Sequence, residues 1–319
     1  MTSPNLRSAY GASLVRLGKK DERVVALEAD LGKSTQSAMF QAEFPDRYFQ
    51  MGIAEQNMAS TAAGFALSGM IPFVHSFAVF ASGRMYDQVR NSICIPHLPV
   101  RICGSSAGLS DYGDGKTHQG VEDAALMRAL PNMTVLCPAD SIEVEQMMDF
   151  MLDWPGPVYF RINRNDLPFV YPVGEPYHIG QVIKIRDGKD AAIFGSGIMV
   201  SKALEAAKIL EKEGISARVL DISTIKPLDR EAVIRYASGV DAIVTAEEHS
   251  IIGGIGSAVV EALRAVSHAP VEFVGVPDSF GTSTQGYDEL LDHFHLTPEG
   301  IAKAVKTLLK GKMTCASVS

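Results

Sequence analysis

The chain has 319 residues, of which 46% are hydrophobic and 21% are charged. This length suits two domains of ordinary size, and this composition excludes general disorder. The 29 basic and 37 acidic residues give a net charge of −8 without a lysine or arginine cluster, so we expect no nucleic-acid partner.

The four cysteines lack C-x-x-C spacing, which is typical of reduced intracellular thiols and argues against a disulfide framework or a zinc site. No secretion signal is visible at the N-terminus, and we therefore expect a cytoplasmic protein. The uncharged stretch 58–80 contains Pro72 and His75, which favours a buried helix and strand over a membrane span. We expect no membrane partner.

The first half of the chain alternates helical and strand-like segments. Leu6, Tyr10, Leu14 and Leu17 have the spacing of one helix face and predict a helix over 5–18. The segments predicted after it are a strand at 23–28, a helix at 54–69, a strand at 72–79, a helix at 82–94, and strands at 99–103, 133–137 and 157–161. This alternation predicts an α/β domain with a mostly parallel sheet flanked by helices.

The sequence pattern changes between Asp166 and Gly180. Three prolines in this stretch interrupt any helical or strand periodicity, as is typical of an interdomain linker. The alternation then restarts, with strands at 190–197, 217–222, 242–249 and 271–276, and helices at 199–213, 253–266 and 297–310. The sequence therefore predicts two α/β domains, at 1–166 and 183–319, joined by a linker at 167–182.

Two glycine-bearing turns at 195–197 and 253–256 resemble dinucleotide-binding loops, but both are incomplete. Each begins a predicted helix, and its free backbone amides could hold an anion. Tight turns between strand and helix explain both segments more simply.

Three segments carry residues that could do chemistry. Glu55 opens a helix among apolar neighbours, a setting that favours a protonated carboxyl, although an acid in a first helical turn also suits the helix dipole. Phe77 and Phe80 could be ordinary core residues, and His118 could be a solvated loop histidine. The glycines before His118 would nevertheless suit a site that holds a polar substrate.

Taken together, these segments resemble a known family. GIAEQNMASTAAGFALSG, SFAVF and GDGKTHQGVED occur in the order of the pyrimidine-binding domain of transketolase and of 1-deoxyxylulose-5-phosphate synthase. AEEHSIIGGIGSAV and LTPEGIAKAVKTLL resemble the C-terminal domain of the same family. A full transketolase begins with a pyrophosphate-binding domain, which this chain does not contain. The resemblance thus implies the second subunit of a split transketolase, active with an N-terminal-half partner in an α2β2 heterotetramer.

The resemblance implies thiamine diphosphate as cofactor, with Mg²⁺ or Ca²⁺ bound mainly by the partner. Glu55 matches the catalytic glutamate that hydrogen-bonds a ring nitrogen of the aminopyrimidine. Phe80 matches the aromatic residue that stacks on that ring, with Phe77 as its neighbour. Leu31 falls where the family packs an aliphatic side chain near the cofactor.

The resemblance also implies a sugar site. Asp114 and His118 match residues that contact substrate hydroxyls near the reacting carbons, and we count His118 among the catalytic residues. The groups that match the family's distal phosphate site are Arg7, Ser34 and Arg164, with Arg161 as the alternative to Arg164. A structural alternative is that Arg164 only pairs with Asp166.

Some positions depart from the family's pattern. Ser106 stands where transketolases acting on phosphorylated sugars have a phosphate-binding histidine. We therefore expect weaker binding of a sugar phosphate, and the acceptor can be a non-standard sugar. Gly83 replaces an aromatic residue and leaves the cofactor pocket more open. The motif Gly113–Gly115 resembles the family's GDG metal motif, but Asn132 follows too early and the motif lies in a loop. We therefore predict no metal site in this chain.

Alternatives remain open on sequence grounds. The beta subunit of a 2-oxoacid dehydrogenase decarboxylase has the same two domains and the same glutamate, although DGKTHQG favours sugar chemistry. A synthase-like activity is a further candidate. A non-catalytic partner subunit would have no reason to retain Glu55, Phe80 and His118 together. The sequence does not identify the ketose donor, the aldose acceptor or the pathway.

Overall fold

The computed structural model of the protein describes residues 5–171 and 179–316. The helices are α1 (Leu6–Lys20), α2 (Gly32–Thr35), α3 (Ala38–Glu43), α4 (Glu55–Leu67), α5 (Tyr86–Gln88), α6 (Asp123–Ala129), α7 (Ser141–Asp153), α8 (Met199–Lys212), α9 (Arg230–Ala237), α10 (Ile255–Leu263), α11 (Tyr287–His293) and α12 (Pro298–Ala316). The strands are β1 (Val24–Glu28), β2 (Tyr48–Gln50), β3 (Ile71–Phe77), β4 (Arg101–Ser105), β5 (Thr134–Leu136), β6 (Val158–Ile162), β7 (Ile183–Arg186), β8 (Ala191–Gly195), β9 (Ala217–Asp221), β10 (Thr224–Lys226), β11 (Ala242–Ser250) and β12 (Val271–Val276).

The strands form two sheets, and the predicted fold class is confirmed. The first sheet has the order β2-β1-β3-β4-β6-β5-β10, and its strands are parallel except for β10. Its central strands are buried on both faces, as expected for continuous apolar runs in a parallel sheet. The helices α1, α3 and α7 pack together, while α4 packs on β3.

The second sheet has the order β12-β11-β8-β9-β7, in which only the edge strand β7 is antiparallel. The helices α8 and α12 pack together, and α10 packs against α9. The predicted strand–helix alternation of this half is therefore observed.

One strand crosses between the two halves. Strand β10 follows β9 of the second sheet, yet it pairs antiparallel with β5 at the edge of the first sheet. No single boundary in the sequence therefore assigns all strands of the first sheet to the first half of the chain. The division at 1–166, 167–182 and 183–319 stays a prediction, and residues 172–178 of the predicted linker lie outside the described residues.

The predicted helix at 82–94 is wrong in its interior. Only Tyr86–Gln88 is α-helical, and it lies between π-helical turns at Phe80–Arg84 and Val89–Cys94. The hydroxyl of Ser82 donates a 2.7 Å hydrogen bond to the carbonyl of Ala78, a local bond that competes with regular helix geometry. The wider turns begin at Phe80, which the resemblance assigns to the cofactor.

The backbone amides at the helix start at 253–256 are already bonded by a side chain of this chain. The carboxylate of Glu247 accepts hydrogen bonds from the amides of Ile255 (2.8 Å) and Gly256 (2.9 Å) at the N-terminus of α10. The simpler interpretation of this turn is thus favoured, since the chain's own side chain uses those amides. Among the described helices, none is long and apolar enough to cross a lipid bilayer.

A buried polar cluster joins the two sheets; we call Asp123, Arg161, Asn163, Glu248 and Tyr287 the interdomain lock. The Arg161 Nε lies 3.0 Å from each carboxylate oxygen of Asp123, and its Nη2 donates to the Glu248 carbonyl at 2.7 Å. The Asn163 amide donates to the Glu248 Oε2 at 2.9 Å and lies 2.7 Å from the Tyr287 hydroxyl.

The lock also fixes the loop that follows β4. The Glu248 Oε1 accepts a 2.7 Å hydrogen bond from the amide of Leu109. Gly108 has φ +63°, and a Cβ there would lie 2.6 Å from the Glu248 carbonyl and 2.9 Å from the Arg161 guanidinium. Only glycine suits that close approach, so the loop from Ser106 to Tyr112 is held firmly against the second half of the chain.

Candidate active site

The carboxyl of Glu55 has one engaged and one unpartnered oxygen. It begins α4 and is 1% exposed. Its Oε1 accepts a 2.8 Å hydrogen bond from the Arg84 Nη1, whereas its Oε2 is buried without a partner among the described residues. The predicted apolar setting is only partly observed, because Met58 is fully buried but Ile53 is 74% exposed and Arg84 brings a positive charge.

Three side chains predicted from separate motifs contact one another; we call Phe77, Phe80 and His118 the aromatic cluster. The Phe77 and Phe80 rings are stacked with centroids 6.3 Å apart. The His118 ring stands edge-on to both, at 5.4 Å from Phe80 and 6.2 Å from Phe77. The Arg84 guanidinium carbon lies 4.2 Å above the Phe80 ring, so this residue links the cluster to Glu55.

The space beside the aromatic cluster is open at Gly83. A Cβ at this position would meet no atom of the described residues within 4 Å, and the residue is exposed. That Gly83 leaves the cofactor pocket more open stays a prediction.

Three further predicted residues, Arg7, Ser34 and Arg164, lie together with Asp111, which the sequence did not indicate; we call these four residues the arginine subsite. The Arg7 Nη1 donates to the Ser34 carbonyl at 2.9 Å, and the Arg164 Nη1 lies 2.6 Å from the Asp111 Oδ1. Burial and the nearby charge of Arg164 lower the pKa of Arg7, while Asp111 opposes that shift. The two arginines are thus close enough to repel each other.

Asp111 connects the arginine subsite to the sugar residues. Its side chain is 2% exposed. Burial raises the pKa of Asp111, Arg164 opposes that change, and the charge of Asp114 adds to it while His118 opposes it. Asp111 therefore lies within electrostatic reach of both predicted sugar contacts, Asp114 and His118.

A buried carboxylate shapes the loop that carries Leu31 and Ser34. The Glu28 Oε1 accepts 3.0 Å hydrogen bonds from the amides of Ala29 and Leu31, and its Oε2 accepts from the hydroxyls of Thr35 and Ser37. Leu31 and Ser34 are half-buried and line a cleft of about 320 Å³. The role predicted for Leu31 stays a prediction.

The loop with Asp114 and His118 rests on the second half of the chain. The Gln119 amide donates to the carbonyls of Asp111 (3.1 Å) and Thr282 (3.0 Å). The amide of Thr284 donates to the Tyr112 carbonyl at 2.9 Å. These contacts leave Asp114 exposed and place the His118 ring against the phenylalanines.

The GDG-like motif lies in this loop, well beyond the end of β4, as the sequence indicated. The side chain of Asn132 donates to the Cys94 carbonyl at 2.9 Å, which is a structural contact. The described residues include no cluster of three or more histidine, cysteine or acidic side chains that could hold a metal ion.

Two details of the arginine predictions change. Arg161, the alternative phosphate ligand, is 6% exposed and fully engaged in the interdomain lock, so it does not reach a substrate. Arg164 pairs with Asp111 rather than with Asp166, whose carboxylate accepts from the Asn5 side chain at 2.8 Å.

Sequence reasoning missed Arg84, Asp111 and Glu28. Arg84 follows Phe80 by four residues, a spacing that places two side chains on one face of a helical segment and could have suggested the contact. Asp111 and Glu28 carry no comparable signal, because their partners come from distant segments.

Both halves of the chain are similar to known protein domains. Residues 2–170 match the family model described as the transketolase pyrimidine binding domain, and residues 180–301 match the transketolase C-terminal domain. A protein of Methanocaldococcus jannaschii described as a transketolase C-terminal section is 42% identical over 96% of each chain. The 6-deoxy-6-sulfo-D-fructose transketolase subunit SqwH of Clostridium sp. is 40% identical, over 96% of this chain and 95% of that protein.

Other relatives are longer, and the chain spans about half of their length. A 1-deoxy-D-xylulose-5-phosphate synthase of Symbiobacterium thermophilum is 39% identical over 94% of this chain, which corresponds to 46% of the synthase. A solved structure described as a split gene transketolase in an inactive beta4 tetramer is 46% identical, with a TM-score of 0.89 over 96% of this chain and 98% of that one. The two matched domains, the arrangement of the site and these relatives together show that the chain belongs to the transketolase family.

Proposed function

We propose that this chain is the C-terminal subunit of a split, thiamine-diphosphate-dependent transketolase, which moves a two-carbon ketol unit from a ketose to an aldose. One observation carries the proposal: buried Glu55 has an unpartnered Oε2, and the Arg84 side chain that bonds its other oxygen lies over the Phe80 ring of the aromatic cluster. A buried carboxyl oxygen without a partner is costly unless a ligand completes its hydrogen bonding.

The residues present fit the aminopyrimidine half of thiamine diphosphate. Glu55 would hydrogen-bond a ring nitrogen through its Oε2, Phe80 would offer an aromatic face, and Phe77 would support Phe80. When bound, the cofactor supplies the carbon nucleophile that carries the ketol unit. Glu55 would hold a proton at its Oε2, while Arg84 fixes the carboxyl through the other oxygen.

The sugar would lie between the aromatic cluster and the arginine subsite. The His118 ring lies against Phe80, the residue proposed to face the cofactor. From there His118 would contact the hydroxyls near the reacting carbons and exchange protons with them. Asp114 would bind neighbouring hydroxyls from its exposed position on the same loop. The arginine subsite would contact the far end of the sugar.

A partner would complete the site. The described residues offer no metal cluster, so a partner subunit would bind Mg²⁺ and the cofactor's diphosphate. The exposed apolar side chain of Ile53, two residues before Glu55, suits contact with such a subunit. The similarity to a transketolase C-terminal section and to a split gene transketolase supports an N-terminal-half partner. The α2β2 assembly is our proposal from the family resemblance.

Reconstitution tests the proposal. We expect ketol transfer when the chain is combined with an N-terminal-half subunit, thiamine diphosphate and Mg²⁺, and none from either subunit alone. Products from a panel of ketoses and aldoses are identified by mass spectrometry. Turnover by the isolated chain, or none by an assembled complex that binds the cofactor, would contradict the proposal.

A further inference from the structure

The arginine subsite carries a negative charge that a phosphate site would not need. We infer that Asp111 makes this subsite select a sugar with an uncharged, hydroxylated far end over a phosphorylated one. The inference rests on the proposed function and specifies its substrate class. Asp111 is thereby a specificity-determining residue that the sequence did not identify.

The charges around the subsite balance. Arg7 and Arg164 are opposed by Asp111 within the subsite and by Asp166 nearby, and both acids act electrostatically on Arg7. A phosphate dianion needs a surplus of positive charge and binds best to a free guanidinium fork. The fork of Arg164 already contacts Asp111 at 2.6 Å, so phosphate would have to displace a carboxylate that is 2% exposed.

The unsatisfied atoms of the subsite suit a hydroxyl. The Nε of Arg7 is a buried donor, and the Oδ2 of Asp111 is a buried acceptor, neither with a hydrogen-bond partner among the described residues. A hydroxyl both donates and accepts, whereas a phosphate dianion only accepts. A terminal hydroxyl can therefore satisfy both kinds of atom, and a phosphate dianion cannot satisfy the Asp111 oxygen.

Asp111 is held in place on both sides. Its carbonyl accepts from Gln119 at 3.1 Å, and the preceding carbonyl of Ser110 accepts from the Asn165 side chain at 3.1 Å. Two residues earlier, the amide of Leu109 is fixed by Glu248. The carboxylate thus belongs to a rigid loop and cannot swing away at low cost when an anion arrives.

Ser106 is consistent with the same selectivity. It occupies the position where the resemblance places a phosphate-binding histidine, yet it is fully buried and carries no charge. The loop from Ser106 to Asp111 therefore lacks a cation at its start and has an anion at its end.

The experiment compares two acceptors of equal carbon number, D-ribose and D-ribose 5-phosphate, with hydroxypyruvate as common donor. It uses the assembled complex of both subunits with thiamine diphosphate and Mg²⁺. Asp111→Asn keeps the shape of the side chain and removes its charge, which frees the fork of Arg164. We expect the ratio of kcat/KM for phosphorylated over unphosphorylated acceptor to rise by about tenfold or more. Asp187→Asn is the matched control, because Asp187 is an exposed acid that pairs with Lys184 in the second half of the chain, and we expect that ratio to change by less than about twofold.

A second measurement does not depend on turnover. Inorganic phosphate is titrated into the isolated chain, and the thermal midpoint is followed. We expect stabilisation by phosphate in Asp111→Asn but little in the wild type or in Asp111→Asn/Arg164→Met. A wild-type preference for the phosphorylated acceptor, or no change in both the kcat/KM ratio and phosphate binding in Asp111→Asn, would overturn the inference. A complex that transfers no ketol unit, but whose Asp111→Asn chain gains phosphate binding, would contradict the proposed function and leave the role of Asp111 supported.

Discussion

Arg161 and Arg164 lie three residues apart at the end of β6, yet they belong to two different kinds of site. Arg161 is 6% exposed and bonds Asp123 and the Glu248 carbonyl within the interdomain lock. Arg164 is 28% exposed, and among the described residues its ion pair is with Asp111. The first arginine is saturated by the protein, while the second is partly open to solvent.

The same contrast separates the two regions as a whole. In the interdomain lock, both carboxyl oxygens of Glu248 accept hydrogen bonds from the chain. In the candidate site, Glu55, Arg7 and Asp111 each retain a buried polar atom without a partner among the described residues. Buried polar atoms are ordinarily satisfied, so these three atoms are available to a ligand. Unpartnered buried polar atoms also occur outside the candidate site, for example at Glu143 and Asp221.

The largest expected effect is on the free energy of unfolding, which should fall much more when Arg161 is replaced than when Arg164 is replaced. Arg161→Met leaves Asp123 buried without its counter-charge, and we expect a loss of about 3–5 kcal/mol in the free energy of unfolding. Arg164→Met also leaves a buried acid, Asp111, without its partner, but Arg164 itself is 28% exposed and water can take its place, so we expect a smaller loss of about 1–2 kcal/mol. Urea denaturation of both variants measures the difference. Equal losses would mean that Arg164 is as structural as Arg161.

The pH dependence of the lock sharpens the comparison. Burial raises the pKa of Glu248 from its ordinary 4.5 to about 7, against the opposing charge of Arg161. The folded protein therefore holds this proton more tightly than the unfolded chain, and the stabilisation is lost as the pH rises from 4.5 through 7. The loss is about 3 kcal/mol in total.

Glu248→Gln removes this titration. Its free energy of unfolding should fall less steeply than that of the wild type over the same pH range, as measured by urea denaturation at matched pH values. Parallel profiles for the two proteins would contradict the assignment of the titration to Glu248.

A smaller effect concerns the aromatic cluster. Phe80→Leu removes the aromatic face proposed for the cofactor, and we expect thiamine diphosphate to bind the assembled complex about three- to tenfold more weakly. Phe44→Leu is the control, because Phe44 likewise has an arginine over its ring, with the Arg47 guanidinium carbon 4.0 Å away. Calorimetric titration measures both affinities. An equal loss in the two variants would remove the support for a stacking role of Phe80.

Much of the fold could be predicted from the sequence because its signals are local. The run VVALE predicts β1 almost to the residue, and the spacing of Leu6, Tyr10, Leu14 and Leu17 predicts α1. The interior of 82–94 could not be predicted, since the back-bond of Ser82 and the π-helical turns depend on the surrounding packing. Strand β10 was missed because its pairing partner comes from the other half of the chain.

The site divides in the same way. Glu55, Phe80 and His118 stand in motifs that resemble a family, and the structure brings them together. Arg164 and Asp111 are about fifty residues apart in sequence, and only the folded chain brings them together. No periodicity or motif spacing predicts such a contact. Motifs thus indicated the residues that we propose for the cofactor side, whereas the charge of Asp111 beside the two arginines became visible only in three dimensions.

Replacing Glu55 by glutamine tests the central claim most directly. The amide of glutamine can donate a hydrogen bond but cannot give up a proton as a carboxylic acid does, so Glu55→Gln in the assembled complex should retain less than about a tenth of wild-type ketol transfer, a loss above ~1.4 kcal/mol in the barrier. Glu43→Gln makes the same chemical change at an exposed residue and should keep the wild-type rate. Glu55→Gln should also assemble with the partner and keep its circular dichroism spectrum. A folded, assembled Glu55→Gln complex with more than about a tenth of the wild-type rate would contradict the account.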